Sequence, residues 1–412
     1  MQIYTPERLQ QPSDDPPSQV VLFLAFGGMM ASLAAGYGVL FTIVDDYRDD
    51  YGISETAIGV VIGVGFIAAF ISQLLIAPQA DRGHARKVVL FGVAINIVGL
   101  LLMAAGTTLI PILIGRIISG VGIGAAGPAV RRIVILADRE HLGQNIGRLQ
   151  AAEVFGFAMG PAISAVLVGP FGIPAPFIAV AAITAVLLPF VARVEVEETI
   201  EAPKHRLAVD LLKSRPFAGA VILGAAVFAM IGAFDALWAV VHKDLGTGDW
   251  IANLGITLFA LPLVILGTPG GRLAQTFGPF RLGVLGLLSG ATFMFLYGLM
   301  PTGGLIFAVA MVHAISDGLT VASSGVAVGM VVPEDRQAGA QGMLGASQAI
   351  AAGLMAIITA ALYDQYGRTA AYTVAAIVML VMVAAGAWLS RDVWSLRRPI
   401  ARPAPKAELP TS

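Results

Sequence analysis

Five ionisable side chains fall inside long apolar stretches of this chain: Arg116, Glu153, Asp235, His313 and Asp317. An arginine at mid-span costs about 2.5–3.5 kcal/mol on insertion scales, so each such group needs a partner, a water-filled space or a task. His313 and Asp317 are four residues apart and share one helix face. Thr320 and Ser324 extend that face at spacings of three and four. A carboxyl group that alternates between dry and wet surroundings takes up and releases a proton as it does so. His313 with Asp317, and after them Asp235, are therefore candidate proton carriers. At 1.5 Å per residue, Arg116 lies about 10 Å and Asp235 about 9 Å inside the outer ends of their segments. The two stand at matched depths. Glu153 lies near an inner end and is expected to pair with Arg131 or Arg132 as a structural lock. Tyr37, Phe234, Trp238, Thr320 and Ser324 are candidate cavity residues, the aromatic ones suited to a lipophilic compound.

The elements that must hold these groups follow from composition. Of 412 residues, 57% are hydrophobic and only 12% charged, and mean hydropathy is +0.83. Soluble domains carry about 25% charged residues, so most of this sequence must face lipid or lipid-embedded neighbours. Lipid leaves helices or closed barrels as the only options, and continuous apolar runs of about 20 residues mean helices. Twelve spans are expected, near 19–43, 56–77, 88–107, 109–130, 149–168, 174–193, 216–241, 252–270, 282–299, 304–331, 342–362 and 370–390. They divide into a tail (1–18), a six-helix bundle (19–193), a linker (194–215), a second bundle (216–390) and a second tail (391–412). The linker, with Glu195, Glu197, Glu198 and Glu201, is expected to be a solvated connector with one surface helix at 207–213.

Of the 25 Lys and Arg residues, 21 fall on the side of the termini and three on the other, with Arg116 inside a span. The positive-inside rule then puts both termini in the cytoplasm, and a bacterial inner membrane is the expected location. Net charge −1 argues against nucleic-acid binding. The absence of cysteine excludes disulfides, thiol catalysis and cysteine-held metals. No HExxH, GxSxG or P-loop pattern is present, so neither an embedded hydrolase nor ATP drive within this chain is expected, and no cofactor or metal.

Residues 80–87 and 271–281 carry related short patterns, with Asp81 and Gln275 in equivalent places 194 residues apart. The flanking apolar segments repeat at the same offset, the mark of two parallel halves. The loop after the second span resembles the signature of the major facilitator superfamily, Gly-x-x-x-Asp-Arg-x-Gly-Arg-Arg, through Asp81, Arg82 and Arg86; Ala77, His84 and Ala85 depart from it. The second copy keeps Gly271, Gly278 and Arg281. Arg116 to Gly124 is similar to that family's Arg-x-x-x-Gly-x-Gly pattern. Gly147, Gly156, Gly160 and Pro161 resemble the signature of its drug:proton antiporters, with Ser164-Ala165 in place of Gly-Gly. The resemblance implies an all-α membrane fold of two pseudo-symmetric six-helix bundles and transport by alternating access. It also implies a cytoplasmic gate at Asp81, supported by Arg82, Arg86, Gly271 and Gly278. It further implies that the segments of Arg116 and Asp235 face a common space, so the two are expected to form an ion pair only in a conformation that brings them together there. A proton-coupled exporter of small lipophilic or cationic compounds, working as a monomer in the bilayer, is the expected function. An uptake symporter on the same fold is the alternative.

Overall fold

The computed structural model describes residues 19–398, apart from 42, 201 and 206; the expected tail 1–18 and most of the tail 391–412 lie outside the described residues. The long helices are α1 Gln19–Gly38, α2 Glu55–Leu75, α3 Ala85–Ala105, α4 Leu109–Ala137, α5 Leu142–Phe171 and α6 Pro174–Arg193, with a short helix, Val44–Tyr51, between α1 and α2. There follow α7 Arg215–Asp244, α8 Asp249–Phe277, α9 Pro279–Leu299 and α10 Gly303–Thr320, which resumes after a two-residue turn as Ser323–Val331. A final helical stretch, Gln337–Leu389, breaks at Gly367, whose φ of +77° no helix accommodates, giving α11 (337–366) and α12 (368–389). Twelve spanning helices result. Their exposed faces carry Leu24, Ile67, Ile110, Val166, Phe190, Ile265 and Val381, side chains that only lipid solvates well.

Inside each half the helices meet through small residues and buried hydrogen bonds. The Ser72 hydroxyl donates to the Val121 carbonyl at 2.7 Å, and Asn96 donates to Ser119 at 2.8 Å, tying α2 and α3 to α4. Ser32 of α1 bonds Thr184 of α6. Gly156 and Gly160 of α5 let α1 approach until a Cβ at either would strike the α1 backbone at Ala31 or Gly38. Separate apolar cores fill the N-terminal half, around Phe26 and Met29, and the C-terminal half, around Phe217 and Met294.

A further cluster joins the halves. Ile135, Leu142 and Ile146 of α4 and α5 pack with Ala274 and Leu282 of α8 and α9 and with Ala322, Val326 and Met330 at and beyond the turn in α10. These positions lie at the arginine-rich end of the helices, here called the basic face. Several helices run further toward it than apolar content predicts: α4 continues to Ala137 and α8 to Phe277, and α5 starts at Leu142. The extensions are what the halves use to touch.

Candidate functional site

At the basic face, α2 ends in a 3-10 turn, Ala77–Arg82, that turns Asp81 inward under the start of α11. Asp81 is buried. Its Oδ1 accepts the Ala338 N–H at 2.9 Å and its Oδ2 the Gly339 N–H at 2.7 Å. First-turn amides have no partner inside their own helix and sit at its positive dipole end, so a carboxylate is the fitting acceptor. Nε of Arg132 stands 3.3 Å from Asp81 Oδ1. Arg132 therefore does not pair with Glu153; Arg131 alone does, at 2.6 Å. The two arginines follow one another on α4 and point to different neighbours.

The second sequence copy builds the mirror contact. Gln275 Oε1 accepts the N–H of Gly143, near the start of α5, at 2.6 Å, and its Nε2 donates to the Glu140 carbonyl at 2.6 Å. Beside it the backbones of α5 and α8 touch: Gly143 against Gly271, and Gly147 against Gly267. No Cβ fits at Gly143, Gly147 or Gly271, and one at Gly267 would be tight. Gly147 thus packs across the halves, whereas Gly156, Gly160 and Pro161 pack against α1 within one half. Gly278 takes φ +119° between α8 and α9 and lies against the Leu396 carbonyl.

The linker is not a free connector. Glu198 caps α3, accepting the N–H groups of Ala85 and Arg86 at 2.9 Å each. Arg132 donates to the Glu197 carbonyl and the Thr199 hydroxyl, and Arg82 to the Pro203 carbonyl at 3.1 Å. Gly83, with φ +78°, passes so close to the Thr199 carbonyl that a side chain would collide. Arg86 bonds the Ala192 carbonyl. Arg82 and Arg86 therefore hold the linker and the end of α6 instead of touching α11. Arg139 joins Glu197 of the linker at 2.7 Å to Glu334 of the other half at 2.8 Å. Further on, a 3-10 turn, Ala208–Lys213, offers Asp210 to Arg336 at 2.6 Å. That hydrogen-bonded guanidinium holds the Asp210 carboxyl below its ordinary range.

Away from the contacts of Asp81 and Gln275 the halves carry the charges expected within the spans. In the C-terminal half the Tyr297 hydroxyl lies 2.9 Å from His313 Nδ1, and His313 Nε2 lies 3.4 Å from Asp317 Oδ1. Phe293 stacks on the imidazole at 4.8 Å and Phe259 meets it edge-on at 5.6 Å. All three members of the Tyr–His–Asp row are buried. The Thr320 hydroxyl turns back to the Ser316 carbonyl, and Ser324 is buried beside Gly224, so neither extends the row. Asp235, by contrast, is exposed, and it has no hydrogen-bond or ion-pair partner among the described residues.

The expected Arg116–Asp235 pair is absent from this conformation. Arg116 is fully buried in its own half, its guanidinium 3.7 Å from the Tyr37 ring centroid and against Gly65. Its three guanidinium nitrogens have no hydrogen-bond partner. Tyr37 in turn donates to the Gly65 carbonyl at 2.9 Å. The expected cavity aromatics are also core residues here. Phe234 and Trp238 are 4% and 1% exposed, stacked in a cluster with Phe259, Tyr297 and His242. Tyr297 is the member that sequence reasoning missed: a lone tyrosine in an apolar span has no spacing pattern to mark it.

A family model described as Major Facilitator Superfamily matches residues 24–251 and again 220–411. The chain belongs to this superfamily. The double match reflects the two repeated halves. Among curated members, an uncharacterised transporter of this type from Methanocaldococcus jannaschii is 24% identical over 363 residues, covering 84% of this chain and 92% of that one. The quinolone resistance protein NorA of Staphylococcus aureus is 23% identical over 219 residues, covering 51% of this chain and 55% of that one. Two solved superfamily structures share the fold. They are the human organic anion transporter TETRAN (TM-score 0.73, 16% identity, 90% of this chain and 100% of that one) and a proton:xylose symporter (TM-score 0.71, 15% identity, 90% of this chain and 94% of that one).

Proposed function

We propose that this superfamily member is a proton-coupled exporter of small lipophilic or cationic compounds. It works as a monomer in a bacterial inner membrane, with both termini and the basic face in the cytoplasm. The observation that carries the reading is the buried Tyr297–His313–Asp317 row, a titratable chain inside one half of a two-half carrier. Asp235, exposed and without a partner among the described residues, supports it, because a carboxylate within a spanning helix attracts a cationic compound or a proton in turn. The partial likeness to a quinolone resistance protein favours export. The Asp81 and Gln275 contacts between the halves support a conformation closed at the basic face, which under the proposed orientation would face outward.

Inside-out vesicles with an imposed pH gradient test the proposal. A fluorescent lipophilic cation should accumulate when the lumen is acidified, and Asp317→Asn should abolish the accumulation. Asp235→Asn should weaken it by about tenfold, the effect of roughly 1.4 kcal/mol. Flux of the probe down the proton gradient would establish the symporter alternative instead. Two aspartate variants as active as the parent would end the coupling assignment.

A further inference from the structure

At the basic face of the C-terminal half, α7 begins and α12 ends side by side. Gly219 lies against Gly386 and Ser390, so the two backbones touch and fix the spacing of what they carry. What they carry is a half-open aromatic ring between two arginines. Trp388 is 57% exposed, and the guanidinium carbons of Arg215 and Arg391 lie 4.6 Å and 5.6 Å from its ring centre. Arg215 has no carboxylate partner among the described residues, and neither has the exposed Lys213 beside it. Among the described residues the one carboxylate Arg391 meets is its neighbour Asp392, at 3.7 Å with both side chains exposed, a contact worth little. The nearby Asp210 is already engaged by Arg336. Positive charge is therefore left uncompensated, and the indole orders two planar guanidiniums whose free N–H edges suit an anion with several oxygens.

Depth selects the anion. Trp388 stands one residue before the end of a spanning helix, where tryptophan rings lie among lipid headgroups. We propose that Arg215 and Arg391, ordered by Trp388 and assisted by Lys213, form a binding site for the phosphate of an anionic phospholipid in the adjoining leaflet. The lipid's acyl chains would run along the exposed apolar surface of α12, past Val381 and Ile377. The site is independent of substrate and coupling, since none of its residues belongs to the gate or to the buried Tyr–His–Asp row.

Tryptophan quenching in nanodiscs tests it. Brominated phosphatidylglycerol, diluted into phosphatidylcholine, should quench the Trp388 share of fluorescence more than brominated phosphatidylcholine at equal mole fraction. The parent minus a Trp388→Phe variant defines that share. Each arginine should contribute about fivefold to the preference. Arg215→Gln with Arg391→Gln should remove the excess, and Arg215→Lys with Arg391→Lys should keep most of it. Equal quenching by the two lipids in the parent overturns the proposal, as does an excess that survives the glutamine pair. Loss of the excess in the lysine pair, with thermal unfolding in pure phosphatidylcholine unchanged, would overturn the charge-based account. Soluble glycerol phosphate at millimolar concentration should leave the excess intact. If it abolishes the excess, the occupant is a free phosphate ester and the lipid assignment fails.

Discussion

Asp81 and Gln275 occupy equivalent residues of the two halves and cap equivalent helices, yet one is an anion and the other neutral. A carboxylate on free first-turn amides contributes up to about 2 kcal/mol more than a neutral group can. Asp81→Asn should therefore weaken closure of the basic face measurably, whereas Gln275→Ala should cost only about 1 kcal/mol, the value of an ordinary hydrogen bond. The chain has no cysteine, so a single introduced thiol reports cleanly. Leu142→Cys lies in the apolar seam between the halves. Its maleimide labelling should speed up about tenfold or more in the Asp81→Asn background and less in the Gln275→Ala one. Equal rates in all three proteins would show that Asp81 does not hold the gate. At Tyr297, removal of the hydroxyl should act on the imidazole and not on substrate. Tyr297→Phe should move the midpoint of the transport–pH profile by about 0.7 unit, the equivalent of one neutral hydrogen bond, and leave substrate affinity unchanged. An unmoved midpoint would remove Tyr297 from the row.

Among elements, the linker differs most from expectation. Its glutamates read as solvated because composition cannot reveal that the end of α4 and the loop after it carry Arg132 and Arg139 at matching positions. In the structure Glu198 caps α3, Glu197 engages Arg139, and Asp210 engages Arg336 of the other half. Glu198→Ala should cost about 1 kcal/mol of thermal stability, as loss of a helix cap does. Asp210 is held below its ordinary value near 3.8 by Arg336, so its stabilising contribution is complete above that value and fades only as pH falls through the lower, folded value. Between about pH 5 and pH 8 Asp210 should therefore stay ionised, and Leu142→Cys labelling in the Arg336→Gln variant should rise above the parent at both ends of that range. A rise confined to the acid end would contradict this.

The helices themselves were legible because lipid imposes a length and an apolarity that no other setting demands. Their inner ends were not, since α4, α5 and α8 run past the apolar region into charged sequence that pairs across the basic face. The same limit explains Phe234 and Trp238: a spacing of four places them on one face without saying whether that face meets a cleft or its own bundle. Arg116 was marked by its cost in the membrane, but its neighbours Tyr37 and Gly65 come from two other helices and no spacing connects them.

At the scale of the whole molecule, the two halves join at one end only in the contacts described, through a seam of glycine backbones and one small apolar cluster. Gly271→Val would insert a side chain where the α5 backbone lies, so the closed basic face should become the rare state. Leu142→Cys in that variant should label rapidly without substrate, and slow labelling would mean that the seam tolerates bulk. The unequal caps on either side of this seam carry a mechanical consequence. With a charged clasp on the α2–α11 flank and a neutral one on the α5–α8 flank, the weaker edge should part first while the stronger serves as a pivot. The bundles would then swing apart like a door on its hinge instead of separating evenly, and spin-label distances across the two flanks should lengthen one before the other.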